Sequence, residues 1–302
     1  MGIYVEARVR GSMEELWRLT QAPELHVRWD LRFTDIEYLP RPDESEPQHF
    51  HYATRIGFGV AIEGKGKTVG EREAATGERS SALKFWSDDP KSLISEGGGY
   101  WRYVPTEDGL RFITAYNYRV RFGALGRAFD ALVFRRLMGW ATAWSFDRLR
   151  LWIERGHDPA VSLQRTLVHC VSRGAVAFVW LYQGAVPKLV CQHADELAMV
   201  ERSGISASLA PAVVQWVGVL EVLFGLTVLL TFPQRWPLAL TVVLMLGATF
   251  GVAVSAPEYL SAAFNPVSLN VALLALAAIG VLTSRDLPMA RRCLRTPPKG
   301  ES

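Results

Sequence analysis

Along residues 1 to 122 apolar and polar positions alternate with a period of two, the signature of half-buried strands. In "IYVEARV", Ile3, Val5, Ala7 and Val9 share one face, and Tyr4, Glu6 and Arg8 the other. "LRFITAYNYRVRF" places Leu110, Phe112, Thr114, Tyr116, Tyr118, Val120 and Phe122 on one side, with Arg111, Asn117, Arg119 and Arg121 behind. "HFHYATRIGF", "VAIEGKGKTVGERE", "SALKFWS" and "YWRYV" alternate similarly, separated in part by turns at "RPDESEP", "SDDPKS" and "TEDG". Two short helices follow the first strand: Ser12 caps "MEELWRLT" with Glu15 three residues on, and Pro23 opens "APELHVRW". A long helix, about 125 to 155, closes this half.

From Phe129 to Phe146 that helix is apolar around most of its circumference, with Asp130, Arg135 and Arg136 as the charged interruptions. A helix that covered one sheet only would show a cleaner polar back. Its spare face is therefore expected against a membrane domain or lipid headgroups, with Arg135 and Arg136 near phosphates.

After residue 165 the period changes. Four apolar runs, about 168–190, 211–232, 236–256 and 265–283, each approach the ~20 residues a helix needs to cross a bilayer. Of the 63 Lys, Arg, Asp and Glu in the chain only eight fall within 174–283: Lys188, Arg202, Arg235, Asp195, Glu196, Glu201, Glu221 and Glu258. Polar "CQHADELAMVERSG", the two-proline "FPQRWP" and "APEYLSAAFNP" separate the runs, and Asn265 with Pro266 can cap and start the last. Arginines crowd from 148 to 173 at the start of the first run (Arg148, Arg150, Arg155, Arg165, Arg173) and after the last (Arg285, Arg291, Arg292, Arg295, with Lys299), and Arg235 marks the second turn. The positive-inside rule then predicts four spans with both termini in the cytoplasm. Four buried helices of a soluble protein, the alternative, would not explain that loop charge.

Glu221 lies near the middle of the second run, where a lipid-facing carboxylate is costly, so it is expected to face sister helices. Gln215, Gly218, Glu221 and Gly225 recur at helical spacing as a polar and small stripe. The expected partners of Glu221 are Tyr182, Gln183, Lys188, Gln215 and Asn270, either as a functional cluster or as a structural knot. Arg173 reads as an interface anchor.

The stretch Tyr182, Gln183, Gly184, Pro187, Lys188, together with Glu221, Gly225, Asn265-Pro266 and Asn270, resembles the DoxX-like family of small four-helix membrane proteins over about residues 165–292. That resemblance implies an association with quinone chemistry as one alternative. The N-terminal order of one strand, two short helices, six strands and a long helix resembles the helix-grip fold of the START, Bet v 1 and polyketide-cyclase superfamily. It is carried by "SMEELWRLTQAPE", Trp29, "GVAIEGKG" and "DALVFRRLMGWATAWSFDRLRLWIE". It implies an α+β domain, an antiparallel sheet around a long C-terminal helix, enclosing an apolar cavity lined by Trp29, Phe33, Tyr52, Phe85, Tyr116, Tyr118, Leu132 and Met138. Inward tyrosines need a hydrogen-bond partner or a polar ligand.

The expected organisation is a helix-grip domain over 1–157, an all-α four-helix membrane domain over 158–292 and a disordered basic tail over 293–302. Cys170, Cys191 and Cys293 show no paired spacing, and His49 and His51, an H-x-H expected to face water, lack a third ligand, so no metal is implied. No G-x-S-x-G elbow, P-loop or dinucleotide fingerprint appears, so neither a cofactor nor a catalytic residue is assigned. The net charge of +3 is too small and scattered for a nucleic-acid footprint. The expected function is binding of a hydrophobic or aromatic small molecule or lipid at a bacterial-type inner membrane. A quinone- or proton-handling subunit, a cyclase-like enzyme and an assembly role stay open, as does a membrane-protein partner or a second copy.

Overall fold

The computed structural model describes residues 2–298 apart from Glu44, Phe58, Ala262 and Phe264. Contacts divide the chain into a soluble unit, 1–162 with 288–302, and a helical unit, 163–287.

In the soluble unit one seven-stranded antiparallel sheet runs in the order β1-β7-β6-β5-β4-β3-β2. The strands are β1 (Ile3–Val9), β2 (Asp35–Tyr38), β3 (His49–Gly57), β4 (Val60–Glu73), β5 (Arg79–Trp86), β6 (Ile94–Thr106) and β7 (Gly109–Val120). Helices α1 (Met13–Gln21) and α2 (Pro23–Trp29) follow β1. The expected cap is present: Ser12 Oγ accepts from Glu15 N at 3.1 Å. After β7 come α3 (Gly123–Phe129), a π-helical turn (Asp130–Phe134) and α4 (Arg135–Arg155), ended by Gly156 at φ 65°. Ile3, Val5, Ala7 and Val9 are buried as their alternation predicts. Phe112 stacks on Phe146 of α4 at 4.3 Å, so sheet and helix share a core.

The expected disordered tail does not hold for residues 293 and 294. Leu294 exchanges two 2.9 Å backbone hydrogen bonds with Glu6 on the open edge of β1. Cys293 Sγ donates to the Ala143 carbonyl, and Met289 N and Arg292 both reach Asp147. An exposed strand edge and a fully buried aspartate supply the reason: each needs partners, and the returning chain provides them. Lys299 to Ser302 lie outside the described residues.

The helical unit contains α5 (Pro159–Gln183, from residue 163 on) with a π-helical extension (Gly184–Val190), α6 (Ala194–Arg202), α7 (Ala210–Leu230), α8 (Trp236–Ser255) and α9 (Pro266–Thr283). The last three are each long and apolar enough to cross a bilayer, and the α5 segment through Val190 forms with α6 a pair bent by 94°, a fourth candidate span. Asn265 Oδ1 caps α9 through Ser268 N at 2.8 Å. Trp180, Val176, Val228, Leu238, Met245, Leu273 and Ala277 form the core. Leu220, Leu223, Leu229, Val243, Leu246 and Leu282 point outward, as lipid-facing helices require.

Candidate ligand face and membrane polar cluster

Paired residues on neighbouring strands share a face. Tyr116 pairs with Gly99, Tyr118 and Phe85 both pair with Gly97, Phe85 also pairs with Gly66, and Phe50 and Tyr52 pair with Gly66 and Gly64. Phe112, two residues before Thr114 and four before Tyr116, stacks against α4, so this is the inner face. Glycines alternate with rings here because the rings lie on them. A Cβ at Gly64 would meet Tyr52 Cζ at 2.2 Å, one at Gly66 would meet Phe50 Cζ at 2.3 Å, and one at Gly97 would meet Phe85 Cζ at 2.4 Å.

From these positions an aromatic series runs inward. Tyr38 contacts Phe50, Phe50 contacts Tyr52, and Tyr52 meets Phe33 at 5.6 Å. His26 then touches Phe33, Trp29 and Trp101 at 4.9 to 5.3 Å. Phe33, Phe50, Tyr52, Phe85 and Met138 are half-buried. Trp29 is fully buried, its Nε1 donating to the Leu19 carbonyl at 2.8 Å, which makes it core rather than an open wall. Leu132 is 65% exposed, so its expected place in the lining is overturned: the π-helical turn carries it to the far side of the helix.

Two of the predicted tyrosines find protein partners. The Tyr116 hydroxyl lies 3.0 Å from Thr142 Oγ1, and Tyr118 donates to Asp130 Oδ1 at 2.6 Å. The Tyr52 hydroxyl makes no hydrogen bond among the described residues, and burial pushes its pKa up to about 12.

Sequence reading missed the charges at this face. Asp30 is fully buried and accepts two bonds from Arg32, at 2.9 and 2.6 Å, with His26 Nε2 at 3.0 Å. Burial works against the charged carboxylate, but Arg32 and His26 outweigh it and hold Asp30 well below the ordinary range. Arg32 lies 5.5 Å over the Tyr116 ring. Burial likewise opposes its charge, while Asp30 and Tyr116 more than restore it. The signal was available in "WDLRF", a paired Asp and Arg set between two aromatic residues.

Asp130 is the second missed group. It takes Tyr118 and, at 2.6 Å, Arg135. Burial and then Asp130 raise the Tyr118 phenol. Arg136 is exposed, whereas Arg135, its side chain still 39% exposed, pairs with Asp130 and lies over the Tyr118 ring. The five-residue spacing of Asp130 and Arg135 fits a π turn, where an α-helix would bring residues four apart together.

In the helical unit Lys188 Nζ stands 3.1 Å from Glu221 Oε2 and 3.1 Å from Glu196 Oε1 on α6. The contact with Glu221 is an ion pair set out of line for a directed hydrogen bond, and Oε2 has no other partner among the described residues. Pro187 cannot give an N–H to the Gln183 carbonyl one turn back, and Lys188 Nζ reaches that oxygen at 3.5 Å. Close approach is set by glycine: a Cβ at Gly184 would meet the Gly218 carbonyl at 2.6 Å, and one at Gly225 would meet Leu181 Cγ at 2.8 Å.

Of the six residues expected in this cluster, Lys188, Glu221 and the Gln183 carbonyl come together. Gln215 and Tyr182 are exposed, whereas Gly218 and Gly184 are buried, and so both correct that expectation. Asn270 is buried on α9, and among the described residues no hydrogen bond joins it to Glu221. Glu196 was missed because it lies in a segment that reads as a polar loop.

Arg173 is also not an interface anchor. It is 2% exposed and donates to the carbonyls of Val228, Thr231, Phe232 and Gln234 at 2.5 to 3.2 Å. The last carbonyls of α7 lack helical partners and form the negative end of its dipole, which a guanidinium satisfies. His169 Nδ1 makes the matching contact with the Gly280 carbonyl at 2.9 Å.

His49 and His51 are exposed on β3 while Phe50 and Tyr52 point inward, as their alternation predicts.

These features define a helix-grip domain joined to a bundle of membrane-length helices. Residues 177–278 match the model of the DoxX-like family. The uncharacterized membrane protein YndG of Bacillus subtilis (strain 168) is 46% identical over 183 residues, which span 60% of this chain and 68% of the relative. The chain belongs to one family of membrane proteins with that relative, and its residues 177–278 are DoxX-like. Among solved structures it is similar to a STAR-related lipid transfer protein from Xanthomonas axonopodis (15% identity, 50% of this chain, 85% of that one, TM-score 0.38). It is also similar to a START superfamily protein from Mycobacterium smegmatis (14%, 52% and 100%, TM-score 0.36). The helix-grip assignment itself rests on the strand order and the long closing helix.

Proposed function

We propose that this protein is a membrane-tethered binding protein for a hydrophobic or aromatic small molecule or lipid, held on the inner face of its sheet. The observation that carries this reading is the row of half-buried rings, Phe50, Tyr52 and Phe85, laid over glycines, with Phe33 against Tyr52 and the Tyr52 hydroxyl unengaged. Apolar walls with one free polar group suit a ligand of mixed character.

The tether is short: Gly156 to Asp158 separate α4 from α5, and 288–294 return to the soluble unit after α9. Because both ends of the helical unit join one folded body, the number of crossings must be even. That supports four spans, with both termini at the arginine-rich cytoplasmic side of a bacterial-type inner membrane. Phe122, Leu125, Phe129, Leu132, Leu137 and Trp140 form an exposed stripe along the closing helix, a surface suited to a bilayer interface.

A second reading, quinone or proton handling within the bundle, is favoured by one observation: Lys188 is shared between Glu221 and Glu196. Photocrosslinking the full chain in membranes with a diazirine fatty acid separates the two. Label on β3 to β5 around Phe50, Tyr52 and Phe85 is expected; label restricted to α5 through α9 contradicts the preferred reading.

A further inference from the structure

We propose that the outer face of the sheet carries a second site, for an anion bearing a phosphate or phosphate-ester group, separate from the inner ligand face. The register sets Lys67, Lys84, Gly98 and Asn117 in one row across β4, β5, β6 and β7. Each alternates with an inner-face residue, so the row points away from α4. A cleft of about 500 Å³ opens over it, bordered by Trp86 and by the Glu96–Arg119 ion pair. Gly98 is the row's missing side chain. With strands ~4.8 Å apart, its absence leaves a gap roughly 10 Å wide between Lys84 and Asn117.

Charge gives this gap its meaning. Lys67 and Lys84 stand directly opposite each other, and like charges so placed destabilise a sheet. Neighbouring charges on this face are neutralised: Lys65 by Asp88 at 4.0 Å, and Arg119 by Glu96 at 2.7 Å. Among the described residues neither Lys67 nor Lys84 has an ion-pair partner. Two unneutralised ammonium groups therefore flank one cleft, where a polyoxyanion would bridge them through charge-assisted hydrogen bonds. The Asn117 amide adds a neutral donor, and the Trp86 ring offers an apolar wall to the remainder of an ester.

The test uses the full chain in phosphatidylcholine nanodiscs. One arm titrates pyrophosphate; the other adds phosphatidylglycerol to the discs. Both follow the unfolding temperature and the emission lost in Trp86→Phe. The expected result is a rise in unfolding temperature in at least one arm. Lys84→Ala should weaken that response about tenfold, the loss of one charge-assisted contact. Lys84→Glu should abolish it while raising the ligand-free unfolding temperature, because opposite charges now face each other across the strands. A response to pyrophosphate assigns a soluble phosphate compound, and one limited to phosphatidylglycerol assigns a lipid headgroup. No response in either arm, or one that Lys84→Ala leaves unchanged, overturns the proposal. Should Lys84→Glu fail to fold, Lys84→Ala decides alone.

Discussion

Each unit holds a buried charged residue on a π-helical turn, Asp130 in one and Lys188 in the other, but the two are balanced differently. In the soluble unit Asp130 receives Tyr118 and Arg135, one carboxylate against one guanidinium and a phenol. In the helical unit one ammonium, Lys188, faces two carboxylates, Glu196 and Glu221, a formal charge of +1 − 2 = −1. The first arrangement is complete and fixes a helix against a sheet. The second retains a negative charge that a proton or a cationic group can answer, which is why the alternative reading centres there. π turns recur at functional sites because the extra residue re-aims side chains that an α-helix would stack.

The largest effect is expected at the most fully buried pair. Arg32→Met strands the Asp30 carboxylate, whose side chain is 0% exposed, and should destabilise the soluble unit by about 3 to 5 kcal/mol in chemical unfolding. The same pair sets an acid limit. Because the folded pKa of Asp30 lies below its ordinary 3.8, its contribution is complete above that pH and is lost as pH falls further. Thermal scans should therefore show no loss attributable to Asp30 between pH 7 and about 4, and a loss below. Next comes Lys188→Met, which leaves Glu196 and Glu221 together and should lower bundle stability by about 2 to 3 kcal/mol in detergent. Adding Glu221→Gln should recover part of that loss, a coupling a double-mutant cycle measures.

Gly218→Leu comes third, at about 1 to 3 kcal/mol, because its Cβ would meet the Gly184 carbonyl and Lys188 Cβ at 2.9 Å. Cysteine crosslinking between α5 and α7 would report their separation. The smallest effect is Tyr118→Phe, about 1 kcal/mol, since Asp130 keeps Arg135. Were Tyr118→Phe to outweigh Lys188→Met, the contrast between a complete and an incomplete cluster would fail.

Much of this architecture is visible in period and punctuation. Ile3, Val5, Ala7 and Val9 are buried because alternation on a half-covered sheet leaves them no other face, and Ser12 and Asn265 cap the helices they precede. Charge placement was less legible. Asp30 is buried while Asp35 is exposed because Arg32 and His26 close on Asp30, and the one local trace of that is the Asp-x-Arg set between two aromatic residues in "WDLRF". Arg173 was misread because the carbonyls it satisfies belong to the end of α7 and the turn after it, more than fifty residues away. Gln215 shares a helical stripe with Gly218, yet its longer side chain turns outward while glycine takes the contact. Pro187 and the five-residue spacing of Asp130 and Arg135 were the local hints that the helices depart from α geometry.

The proposed ligand face on the inner side of the sheet is tested most directly by native mass spectrometry of the full chain, comparing the wild type with Tyr52→Asp. The wild type is predicted to retain a lipid-soluble molecule in fixed stoichiometry that the variant lacks, with both folded by circular dichroism. Equal occupancy of the two, or none in either, would contradict it.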